Sequence, residues 1–228
     1  MSAEASGIEC VHPGASDFAV AAAASPPDFR HLLGEAAWMR LVPAVRARFA
    51  HVAGAAARAD YAGRMERVER SFIGYLVAQA CRLLGTPLAP WGGQDVEVDV
   101  RVFEDRRLNG VVWERIYHFP GRPPLAVRST KVFTAAFGLL ECVEGNLGMR
   151  LRVHEEEGAL HFVSTGYFFR LGRRLVTLPL LFTPGRAHVV HKDEGGGWFR
   201  FTLSIDHPLL GRTFHQDGLF RERPANTD

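Results

Sequence analysis

From Asp95 onward the chain alternates. In DVEVDVRVF (95–103), Val96, Val98, Val100 and Val102 share one parity and Asp95, Glu97, Asp99 and Arg101 the other, the period of a strand with one dry face and one wet one. Phe199, Phe201, Leu203 and Ile205 alternate in the same way with Trp198, Arg200, Thr202 and Ser204. Pro208 interrupts that run, because proline cannot donate to a ladder. A second run then places Thr213, His215, Asp217 and Leu219 on one face and Arg212, Phe214, Gln216, Gly218 and Phe220 on the other. Six further runs, at 111–119, 125–133, 139–144, 147–154, 160–170 and 187–194, bring the series to about nine strands. Turn signals at 108–110, 145–146, 157–158 and 195–197 separate most of them.

No helix-length segment falls between consecutive strands, so parallel crossovers are excluded and an antiparallel meander is expected. Nine such strands curl or close, which predicts a barrel or strongly curved sheet. The fold class is therefore α+β, mainly antiparallel β, with helices confined to the N-terminal part. The segment Leu175 to Gly185 is the exception, since Pro179 and Pro184 argue for an edge, a short helical turn or a lid.

Before residue 95 the period changes. Asp28 suits the N-cap of a short helix carrying Phe29, Leu32 and Leu33 that Gly34 would end. A second helix is expected from about Pro43, with Val45 and Phe49 on its buried side and Trp38, Leu41 and Val42 at the junction. Tyr61 to Arg70 reads equally as strand or helix start. Ser71 to Leu84 carries the widest apolar stripe, stopped by Gly85 and Pro87, and is expected to lie on the sheet or plug it. The resulting organisation is a flexible leader at 1–27, a single domain at 28–222 and a tail at 223–228.

Composition narrows the function little. A formal charge of +2 is too small to argue for nucleic acid, and no basic run is interleaved with aromatics. Three cysteines, far apart and without a C-x-x-C pair, indicate neither a disulfide framework nor a thiolate metal site. The Ala-rich run near residue 20 is too short to span a bilayer, and acids stand where a signal peptide needs basic residues. A cytoplasmic protein with no membrane span is expected.

The runs RLVPAVRARF (40–49), GRMERVER (63–70), GLLECVEGNLGMRL (138–151), RLVTLPLLFTPG (174–185) and HPLLGRTFHQDGLF (207–220) resemble the bacterial domain-of-unknown-function family 4166. The resemblance covers roughly residues 28 to 222 and implies one domain. It brings no activity and no catalytic residues. Some members of the family carry this domain behind a Rossmann-type dehydrogenase module, whereas no G-x-G-x-x-G here follows a strand and opens a helix. The resemblance thus implies a separate Rossmann-type protein as a partner.

Candidate chemistry comes from polar residues on strand faces. His215 and Asp217, at i and i+2, share one face, where a carboxylate can hold a histidine for general-base work; the same pair also serves as a hydrogen-bonded strand end. Glu141 alternates with Leu139 and Val143, so a carboxylate falls on an apolar face, as an acid or as an orienting group for a ligand. Arg115 stands likewise among Trp113, Tyr117 and Phe119, either as a structural ion pair or as the anchor of a ligand's head group. Trp113, Tyr117, Phe162 and Phe168 are core aromatics that would line a pocket in a wide barrel. His188 and His191, at i and i+3 on a strand, face opposite ways, so no metal and no cofactor is expected. Three readings follow: a module binding a small hydrophobic, lipid-like ligand; a metal-independent enzyme using His215, Asp217 and Glu141; or an accessory domain whose contact surface is Leu175 to Phe182.

Overall fold

The computed structural model describes residues 24–50, 58–82, 88–143, 146–172 and 174–223. Its strands are β1 (Ala24–Ser25), β2 (Ala59–Arg70), β3 (Gly93–Asp105), β4 (Gly110–His118), β5 (Leu125–Thr134), β6 (Gly138–Cys142), β7 (Leu147–Glu156), β8 (Ala159–Leu171), β9 (Arg174–Leu178), β10 (Arg186–Gly195), β11 (Trp198–His207) and β12 (Gly211–Glu222). The order β5-β4-β3-β2-β12-β11-β10-β8-β7-β6, sealed by pairing of β5 with β6, makes a closed antiparallel barrel of ten strands. Closure leaves few unpaired edges. β1 pairs with β5, and β9 pairs with the second half of β8, both off the ring.

The expected alternation sets the wall. Val96, Val98, Val100 and Val102 on β3 and Phe199, Phe201, Leu203 and Ile205 on β11 are buried in one continuous core. The β7–β8 connection is a two-residue turn in which Glu157 (φ 50°) and Gly158 (φ 77°) are both left-handed, the geometry that matches the twist of the strands it joins.

Four helices accompany the barrel: α1 (Phe29–Leu33), α2 (Glu35–Arg40), α3 (Pro43–Ala50) and α4 (Phe72–Arg82). The Asp28 side chain accepts from the His31 amide, as the capping position requires. It is α1 to α3 that plug one end. Phe49 reaches the interior aromatics, its ring 5.9 Å from Trp113, 5.8 Å from Phe162 and 5.0 Å from His191 between centroids. Of the two placements expected for α4, on the sheet or plugging it, the helix takes the first and lies along β12 and β2. Gly74 permits the close approach, since a Cβ there would strike the Thr213 carbonyl oxygen, and Ala78 is fully buried while Phe72 and Leu76 stay exposed.

Three strands were not among the nine. β2 resolves the ambiguous segment 61–70 as strand, and β9 with the 3-10 turn Leu180–Phe182 accounts for the proline-bounded exception as an edge. β1 falls within the expected leader, the remainder of which, 1–23, lies outside the described residues, as do residues 83–87 and 224–228. Among the described residues no helix is long and apolar enough to cross a membrane.

Candidate functional site

Inside the barrel lies a cavity of about 80 Å³. Its apolar lining includes Met149, Leu151, Phe162, Leu203 and Ile205, and its polar lining includes Arg115, Ser129, Lys131, Glu141 and His191. It extends from the aromatic floor under α3 toward the opposite end, where Leu88 and Pro184 contribute to the wall. At that opposite end the connecting segments expose Phe72, Leu181, Phe182 and Leu209.

The register of β5 on β6 sets Lys131 directly opposite Glu141. Lys131 Nζ donates to Glu141 Oε1 at 3.1 Å, and both side chains are only 9% exposed. Burial alone would push the Glu141 carboxyl up, but Lys131 and Arg115 together outweigh it and hold it below the usual carboxylate range. Burial pulls Lys131 down, against the opposing pull of Glu141. The Lys131 ammonium also sits 5.3 Å from the Trp113 ring centre, and the Arg115 guanidinium 5.5 Å from that of Phe201. His191 is fully enclosed, and its imidazole is driven well below its ordinary pKa by burial and then by Arg48, Lys131 and Arg115. It is therefore neutral at pH 7.

Two features of this lining are unbalanced. Arg115 and Lys131 face a single carboxylate, Glu141, which leaves one positive charge over with His191 neutral. In addition, Trp113 Nε1 and His191 Nδ1 are buried with no hydrogen-bond partner, and both residues line the same cavity. A buried polar atom left unmatched costs about 1–3 kcal/mol, so two in one cavity single it out as the candidate site.

The sequence-derived candidates divide between the two faces of the wall. Arg115, Glu141, Trp113 and Phe162 meet at the cavity. Tyr117 is buried just beyond its lining, donating through its hydroxyl to Gln216 Oε1 at 2.9 Å. Phe168 is elsewhere, packed with Leu108, Val132, Leu140 and Cys142 in a separate cluster. The reason is a bulge: β7 pairs Leu151 with Ser164 but Arg150 with Gly166, so Thr165 is skipped and the parity of β8 reverses. Tyr167 takes the inward place that Phe168 was expected to fill.

His215 and Asp217 lie on the outer wall, half-buried and apart from Glu141. They share no hydrogen bond. His215 Nδ1 is 2.9 Å from Ser204 Oγ, whereas Asp217 accepts from Arg200 at 2.6 Å and from Thr202 at 2.9 Å. His188 also faces outward, where its Nε2 lies 2.9 Å from His161 Nδ1, while His191 lines the cavity.

Sequence reasoning missed Lys131, Ser129 and His191 as cavity residues. A signal existed for the first. Lys131 is one of only two lysines in an arginine-rich chain, it shares the parity of Val127, and counting outward from the turn between Thr134 and Gly138 places it opposite Glu141.

Comparison with curated proteins and with solved structures returns no match. A family model, described as a domain of unknown function (DUF4166), matches residues 41–220, and with most of its length so matched, this barrel, its plug helix α3 and its internal cavity included, belongs to that family.

Proposed function

We propose that the barrel is a binding module for a compact amphipathic molecule carrying an anionic group, a small organic acid being the simplest case. The observation that carries this reading is the unbalanced lining: Arg115 and Lys131 against Glu141, beside two buried polar atoms, Trp113 Nε1 and His191 Nδ1, without partners. An anion between Lys131 and Arg115 would balance the charge, and an acceptor oxygen would take the free Trp113 N–H. The apolar part would lie against Phe162, Met149, Leu151 and Ile205. A cavity of about 80 Å³ accommodates several water molecules or a compact organic molecule. It does not suit a long acyl chain.

Calorimetric titration with benzoate and hexanoate, each set against its neutral amide, tests the proposal. Carboxylates should bind at one per chain at least tenfold more tightly than the amides, and Lys131→Met should remove the difference. Equal binding of acid and amide, or no binding of any of the four, overturns it.

A further inference from the structure

A second cluster of chemistry-bearing side chains lies on the outer wall, independent of the cavity. The left-handed pair Glu157 and Gly158 fixes the β7–β8 register so that His154 stands opposite His161. Glu156, two residues from His154, shares its face. Ligand-capable atoms of His154, Glu156 and His161 all lie within 4.8 Å of one another. β10 adds His188 on the far side of β8, and the three imidazoles stack in sequence, with ring centroids 4.9 Å apart for His154 and His161 and 5.2 Å apart for His161 and His188.

Three histidines side by side need an explanation. Neutral imidazoles stack in this way without repulsion. Neutral imidazole is also the form that ligates metals. The 2.9 Å contact between His161 Nδ1 and His188 Nε2 shares one proton, so it orients the His161 ring in the way an outer partner orients a metal-ligating histidine. His154 Nδ1 is buried and has no hydrogen-bond partner. Its Nε2 lies 3.8 Å from the Glu156 carboxylate, a side chain 65% exposed and able to swing.

We propose that His154, His161 and Glu156 form a binding site for a borderline divalent transition-metal ion, zinc in the first instance, with His188 orienting His161. Two imidazoles and a carboxylate match the nitrogen and oxygen preferences of zinc, cobalt and nickel and leave a position for water. Tetrahedral ligation with metal–nitrogen bonds of about 2.0 Å sets donors roughly 3.3 Å apart. Closing from 4.8 Å requires only side-chain rotation, chiefly of Glu156. The ion would tie together β7 and β8, the hairpin against which α1 and α2 pack.

The test is titration of the untagged, chelator-stripped full chain with cobalt(II), followed by visible absorption, and then displacement by zinc. One equivalent should bind with the intense d–d bands of a low-symmetry site and be released by zinc. His154→Ala and His161→Ala should each weaken binding at least tenfold, and His188→Phe should weaken it about tenfold by loosening His161. His215→Ala, a histidine elsewhere on the wall, should leave it unchanged. Zinc should raise the melting temperature of the wild type but not of His161→Ala, a comparison made within each protein, so that a destabilised variant does not blur it. No stoichiometric cobalt binding by the wild type, or binding by His154→Ala and His161→Ala equal to it, overturns the proposal.

Discussion

Two polar networks on opposite sides of the barrel wall, one around Arg200 and one around Lys131, behave differently. On the outside, Arg200 joins Asp217 at 2.6 Å, Glu66 at 3.0 Å and Glu194 at 3.2 Å, and Thr202 and Ser204 complete the set with Asp217 and His215. Each group has a partner and retains access to water. On the inside, Lys131 and Glu141 are shut away from solvent, Arg115 adds a second cation, and buried polar atoms of Trp113 and His191 go unmatched. Every group of this outer network is matched, and the inner one is not. Residue types that look equally catalytic in a sequence are thus separated by burial and by satisfaction: Asp217 and His215 are matched by neighbouring side chains, whereas Trp113 and His191 keep buried polar atoms without partners.

The sharpest way to break this contrast is to remove one member of the inner pair. Glu141→Ala leaves Lys131 buried and unpaired and should cost about 3–5 kcal/mol in denaturant unfolding, whereas Lys131→Met with Glu141→Leu should recover most of that loss. Recovery would mean that the pair is kept for something other than stability. A double variant as unstable as Glu141→Ala would make it a structural bridge.

Acid comes next in size. Because His191 is held neutral in the fold but takes up a proton near pH 6.5 when unfolded, its contribution is present above that pH and is lost as pH falls. Between pH 7 and pH 5 the loss should be about 2 kcal/mol, with His161 and His188 shifted in the same direction. His191→Gln should flatten the dependence. An unaltered slope in that variant would show that His191 is not the group responsible.

Smallest is the outer network. Asp217→Ala should cost about 1 kcal/mol or less, as expected for an ion pair with solvent access, and His215→Ala should leave binding of the carboxylate probes unchanged. A large loss of binding in either would return His215 and Asp217 to the functional account.

How far these two networks could be read from the chain depended on where the period of two held. It held through 95–103 and 198–205, and there the inward and outward residues were legible one by one. It failed at bulges. β2 buries Tyr61, Met65 and Val68, a spacing that mimics a helix, because the ladder slips between Asp217 and Gly218 where Glu66 is passed over. The skipped Thr165 likewise exchanged Phe168 for Tyr167 at the cavity. A bulge leaves no compositional mark strong enough to count on. The plug was illegible for another reason: the wide stripe of α4 promised more burial than the short helices α1 to α3, but Phe29, Trp38, Leu41, Val45 and Phe49 act together, and that sum appears only in three dimensions. Glu141 and Arg115 were legible as polar residues of inward parity, whereas the identity of Glu141's partner required the register of β5 on β6.

The account rests on the inner network receiving a small anion. Native mass spectrometry of the purified chain, followed by denaturing release and identification of the small molecules freed, addresses this directly. A single compact organic acid at near one per chain in the wild type, absent from Lys131→Met, is the predicted result. A neutral or cationic compound retained equally by both proteins would contradict it.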